Sequence, residues 1–300
     1  MGARTRKVAL SEGITAGVLF GTAAIFVRLV QNLNAFSIAF WRLIVACLGL
    51  AVILIVFGKS FSFSLVRKNL KELIFLGVFL GLHFIFFVSA VKDTTILNAT
   101  VLVNTTPIFS MLISSFFFNL KPSRFAVVGL IVSFTGVCLI AYFEATIANA
   151  DSVGFSSSWK GDLEAVLAAL VEAFYLNYGR RIRSEMTILS TMLPIYMSAA
   201  FVVGILSLPA ANGTVMLPTD IGVILPIVGL GVLPTATAHT LYFSSLSNLK
   251  SFETATLALL EPIGATILGI MVFSEIPEPF FILGAALILL GIVFVAKERY

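Results

Sequence analysis

The chain has 300 residues, of which 59% are hydrophobic and 11% charged, with a mean hydropathy of +1.07 and a net charge of +4. Soluble domains carry about 25% charged residues, so a water-soluble fold of this length is excluded and lipid is the expected solvent. Cys47 and Cys138 lie inside apolar runs, which argues against a disulfide framework or a metal site.

Roughly 20 apolar residues cross a bilayer as a helix, and ten stretches meet that measure. The first, near 11–30, follows the basic start Arg4, Arg6, Lys7 and ends at Arg28; with no small-residue cleavage site it reads as a span and not a signal peptide. The second, 37–57, carries Trp41 and Arg42. The third, 71–91, carries His83 beside Phe86 and Phe87. The fourth, 96–118, places Asn104 three residues before Pro107, and the fifth covers 125–143. A polar linker, 144–162, follows. The sixth span, 163–180, holds Glu172 with Tyr175 and Tyr178 at helical spacing, and the seventh covers 187–208. The eighth, 221–244, carries His239, Tyr242 and Phe243. The ninth, 251–273, carries Glu261 directly before Pro262, and the tenth covers 280–296. Gly17…Gly21 and Gly77…Gly81 predict close helix packing within the monomer.

Charge orients these spans. With both termini on one side, the cytoplasmic set is Arg4, Arg6, Lys7, Lys59, Arg67, Lys68, Lys71, Lys121, Arg124, Arg180, Arg181, Arg183, Lys250, Lys297 and Arg299, which is 15 of the 19 basic residues. Only Lys92 and Lys160 fall on the other side. The bias predicts cytoplasmic N- and C-termini in the cell membrane. It also accounts for the net positive charge, so no nucleic-acid partner is expected.

The chain contains a weak copy of itself. At an offset of 155, Pro107 meets Pro262, Pro122 meets Pro277, Gly129 meets Gly284 and Gly136 meets Gly291; at 156, His83 meets His239, Phe87 meets Phe243 and Ser89 meets Ser245. Five spans separate the copies, and five is odd, so the second copy enters the membrane from the other side. The expected fold is all-α, with ten transmembrane helices as two inverted five-helix repeats, 1–148 and 149–300, around a central cavity.

The segment 97–141, with Pro107 and Gly129…Gly136, resembles the second part of an EamA domain. Glu261-Pro262 through Ser274-Glu275, with Gly284…Gly291, resembles the same element in a second copy, and Phe20-Gly21-Thr22 with Phe40-Trp41-Arg42 resembles its opening. The chain thus resembles the drug/metabolite transporter superfamily over nearly its whole length. One departure is Leu120, which stands where the second copy has Glu275. The resemblance implies solute transport, with amino acids a common theme.

Ionisable side chains inside spans are costly unless paired or hydrated, which makes each a functional candidate. Arg42, about six residues or roughly 9 Å into its helix, could clamp a carboxylate or phosphate with its planar fork; it could also snorkel to headgroups or pair with a glutamate. Snorkelling is the expected role of Arg28. His83 and His239 could face a cavity as proton acceptors or substrate contacts, or bond between helices. Glu172 and Glu261 are the proton-coupling candidates; each could instead hold an amine, or bond Arg42 or a histidine. Asn104, Tyr175 and Tyr242 are polar or aromatic substrate contacts or helix glue, and Trp41 is a stacking platform or an interfacial anchor. Pro107 and Pro262 remove a backbone hydrogen bond inside central helices, as hinges or as static bends.

The expectation is a monomeric secondary transporter, an exporter of small organic metabolites with amino acids favoured. It would work by alternating access, driven by protons or an exchanged solute, with no cofactor, metal or catalytic residue. Purines, sugars, drugs or toxic cations are the alternative cargo, and an intramembrane enzyme using the histidines and glutamates is the rival class. No Walker A loop, HExxH or G-x-S-x-G motif is present.

Overall fold

In lipid every backbone N–H and C=O must find its partner within the protein, which favours continuous helices. A computed structural model describes residues 5–30, 32–57, 61–148, 158–210, 217–273 and 279–297, and the described residues form helices and no strand. Arg4, Lys59, Glu275, Pro277 and Arg299, and residues 149–157 of the linker, lie outside them.

In chain order the helices are α1 (Arg6–Phe20), α2 (Thr22–Leu29), α3 (Ala35–Phe57), α4 (Phe63–Lys68), α5 (Leu70–Asp93), α6 (Ile96–Val103), α7 (Thr106–Phe117) and α8 (Arg124–Ala148). There follow α9 (Trp159–Arg183), α10 (Ile188–Ala210), α11 (Ile221–Leu230), a π-helical segment Gly231–His239, α12 (Thr240–Ser245), α13 (Ser251–Leu257), a 3-10 turn Ala258–Leu260, α14 (Glu261–Phe273) and α15 (Pro279–Ala296).

Among the described residues, seven helical rods are long and apolar enough to cross a membrane: Arg6–Leu29, Ala35–Val56, Leu70–Asp93, Asn98–Phe117, Arg124–Phe143, Ile188–Ser207 and Ile221–Ser245. The stretches expected at 163–180, 251–273 and 280–296 are helical but fall outside that set. α9 is charged at both ends, α13 and α14 are separated by the 3-10 turn, and α15 has only 18 residues.

The interruptions are encoded locally. Pro107 lies in the first turn of α7, where a missing N–H costs nothing, and Pro262 is the second residue of α14. Both prolines therefore open helices, which corrects the expectation that they break bonds inside continuous ones. The π segment arises differently. Pro234 has no N–H to give to the Leu230 carbonyl one turn back, and the Thr235 hydroxyl takes that carbonyl at 2.6 Å.

Packing pairs the rods. α8 lies against α15, α5 against α9 and α10, and α3 against α10 and the π segment, while α1 meets α12, α13 and α14. The α8–α15 seam is close: a Cβ on Gly129 would stand 2.5 Å from the Gly291 carbonyl oxygen, and one on Gly136 2.5 Å from that of Gly284. Between them Ser133 Oγ donates to the Ile288 carbonyl at 3.1 Å. Large apolar side chains such as Ile55, Phe116, Phe125, Phe201 and Ile282 are exposed on the outer surface, as lipid contact requires.

Candidate functional site

The interruptions in α6–α7 and α13–α14 meet the π segment around a partly open cavity of ≈ 40 Å³. Of the residues singled out in the sequence, Arg42, His83, Asn104, Pro107, Glu172, His239 and Glu261 line it. Five of its side chains are ionisable and come from five different helical elements, which only the tertiary fold brings together.

Arg42 is 1% exposed, so it does not snorkel. Its Nε donates to Thr235 Oγ1 at 2.9 Å and its guanidinium lies 3.9 Å from the centre of the Phe84 ring. Among the described residues no carboxylate pairs with it, and its buried Nη1 has no hydrogen-bond partner. A buried cation in that condition is costly, and an incoming anion would relieve the cost.

The carboxylates face neutral polar groups. Asn104 Nδ2 donates to Glu261 Oε2 at 3.3 Å, while Thr106 Oγ1 gives its proton to the Val103 carbonyl at 2.8 Å and stands 3.2 Å from Glu172 Oε2. His83 Nδ1 is 3.1 Å from the Ala168 carbonyl and 3.8 Å from Glu172 Oε2, so its hydrogen bond goes to the backbone and the carboxylate is a looser neighbour. The two imidazole rings stand 5.8 Å apart, edge to face, and among the described residues His239 Nδ1 has no hydrogen-bond partner. Phe20 and Phe84 each hold the His239 ring edge-on at 4.8 Å. Cationic, acidic and imidazole groups thus share one small space walled by aromatic rings.

Three expected contacts lie elsewhere. Tyr175 and Tyr242 are fully buried in the core beside the cavity, Tyr175 with its hydroxyl 3.7 Å from Met192 Sδ and Tyr242 with no hydrogen-bond partner for its hydroxyl among the described residues. Trp41 is half-buried against Phe40. Pro262 faces a separate chamber. Arg28 Nη2 donates to the Thr94 carbonyl, just past the end of α5, at 3.0 Å.

Comparison with known proteins now bears on this geometry. The profile of the EamA-like transporter family matches residues 9–142 and again 159–297. The chain belongs to the EamA-like transporter family. A transport role and a multi-pass membrane location follow from that membership. The uncharacterized transporter YxxF of Bacillus subtilis (strain 168) is 23% identical over 296 residues, covering 99% of this chain and 92% of the relative. The uncharacterized transporter YdfC of the same organism is 30% identical over 242 residues, covering 75% and 72%. A transporter of Archaeoglobus fulgidus is 26% identical over 274 residues, covering 90% and 91%. A solved crystal structure superposes with a TM-score of 0.78 at 18% identity, over 97% of this chain and 96% of that one, and shares the family fold.

Thr106, Thr235, Phe20 and Phe84 also build the site. Phe20 belongs to the Phe20-Gly21-Thr22 motif, and Thr106 precedes Pro107 as Glu261 precedes Pro262, so these two carried a readable signal. Thr235 follows Pro234, but its service to Arg42 depends on the π turn.

Proposed function

We propose that this protein is a secondary transporter that exports small zwitterionic metabolites, amino acids foremost, by alternating access. It crosses the plasma membrane ten times as two inverted five-helix repeats, 1–148 and 149–300, with both termini in the cytoplasm, and works as a monomer. The observation that carries the substrate class is Arg42. A buried guanidinium without a carboxylate partner suits the anionic end of a substrate, and Glu172 and Glu261 in the same cavity suit its ammonium end.

The repeat draws support from packing. Residues 129 and 136 meet 291 and 284, so one contact becomes the other when each residue is exchanged for its mate at offset 155. Ser133 and Ile288 are themselves mates and bond each other, as do residues on a twofold axis. His83 and His239, mates at 156, are in ring contact beside the cavity. The breaks at Thr106-Pro107 and Glu261-Pro262 match as well, and discontinuous helices form the binding sites of many inverted-repeat transporters. Glu172 and Glu261 carry the coupled proton, with an exchanged solute as the other means of drive.

Purified protein in liposomes, offered labelled amino acids, nucleosides and organic cations, tests this reading. Counterflow of at least one amino acid is expected. Flux of another class alone would remove amino acids, and no flux of any solute, with or without a proton gradient, would remove transport of these classes. Glu172→Gln and Glu261→Gln are expected to uncouple flux from the gradient; full coupling in either variant would clear that residue of the role.

A further inference from the structure

Glu261 is the wall between two spaces. One is the central cavity; the other is a partly open chamber of ≈ 100 Å³ bordered by α2, α6, α8 and α14. Ala24, Ile25, Val101, Ile140 and Ala265 give that chamber an apolar lining. The one hydroxyl on it, that of Thr100, is turned back to the Ile96 carbonyl at 2.8 Å. A carboxylate is an unusual neighbour for an apolar chamber. Its position suits a ligand with a polar head on one side of Glu261 and an apolar group on the other.

Size narrows the ligand. The central cavity, at ≈ 40 Å³, leaves room around its charged groups for a head and little else. An apolar cavity of about 150 Å³ takes benzene, so ≈ 100 Å³ suits a branched aliphatic group of three or four carbons and is short for an aromatic ring. We propose that the chamber is the side-group subsite of this transporter, and that it selects zwitterions bearing a branched aliphatic group of that size. The head lies between Arg42 and the carboxylates, and the aliphatic group passes Glu261 into the chamber. This rests on the zwitterion reading above; the chamber itself can be tested apart from it.

The test uses the full chain in liposomes and competition by glycine, alanine, valine, leucine and phenylalanine. Each buried methylene is worth about fourfold in affinity, so affinity should climb from glycine to leucine and fall at phenylalanine. Val101→Phe and Ala24→Leu, which fill the chamber from two different helices, should each lower the leucine-to-alanine preference at least tenfold. Ile140→Ala should shift the preference toward phenylalanine. Preferences unmoved by all three variants would overturn the proposal. Should the wild type bind none of these amino acids, the zwitterion reading has failed and the chamber is read with alkylammonium ions from methyl to pentyl, by thermal shift. Affinity that rises with chain length in the wild type and not in Val101→Phe upholds an apolar subsite behind Glu261. A flat series overturns it, as does a lipid that co-purifies with the wild type and is lost from Val101→Phe.

Discussion

Arg42 is the residue whose environment is hardest to explain as structure alone. It is buried and stacked on Phe84, with one hydrogen bond to Thr235 and none at Nη1. Truncating a buried, partnered charge destabilises a fold, whereas removing an uncompensated one relieves desolvation. Arg42→Gln is therefore expected to leave the melting temperature in detergent unchanged or raised while weakening substrate binding about 10- to 100-fold, the worth of a charge-assisted contact. Arg42→Lys, which keeps the charge and loses the fork, should recover only part of the affinity. Thermal unfolding and counterflow measured on the same preparations decide this. A lowered melting temperature with unchanged affinity would make Arg42 a structural residue.

At the scale of elements, the seam between α8 and α15 depends on two backbone contacts. A side chain at Gly136 would press on the Gly284 carbonyl and on Ile288. Gly136→Val should cost ~1–3 kcal/mol of stability, the usual price of overpacking, read as a lower melting temperature; an unchanged value would mean that the seam opens without cost. This seam was legible in the sequence because its glycines recur at one offset, and so were the paired histidines and the Thr106-Pro107 and Glu261-Pro262 steps. Other parts of the site were not. Trp41 and Arg42 are adjacent, hence about 100° apart around a helix, so a site that takes Arg42 turns Trp41 away. Tyr175 shares a helical stripe with Glu172, yet that stripe passes from the cavity into the core against α10. Thr235 and Phe84 are ordinary residues in composition. Their roles come from the π turn and from the approach of α3 to α5, which no local pattern announces. The difference between ten expected spans and seven rods that meet length and apolarity has local origins: α9 carries charges at both ends, the 3-10 turn divides α13 from α14, and α15 is short.

Across the whole molecule, polar clasps join helix ends at both ends of the bundle. At one end Arg6 bonds Glu253 and the Ala296 carbonyl, and Glu253 also accepts the Lys250 N–H at 2.6 Å, tying the starts of α1 and α13 to the end of α15. At the other, Asp162 accepts from Thr94 Oγ1 at 2.8 Å and from Asn98 Nδ2 at 3.3 Å, tying the start of α9 to the turn between α5 and α6. Asn98 and Glu253 stand at offset 155; the first clasp is an ion pair, and the second joins Asp162 to neutral donors beside the ion pair of Lys160 with Asp93. Breaking a fully buried pair costs about 3–5 kcal/mol, and because the Arg6 side chain is 25% exposed, about 1–3 kcal/mol is expected here. Glu253→Gln should therefore speed hydrogen exchange at 6–12 and 250–257 roughly five- to hundredfold and leave 92–98 and 158–164 unchanged. Asp162→Asn should loosen the second pair of segments and spare the first. The alternating access proposed above needs clasps that release separately, and loosening of both ends by either variant would show that they do not.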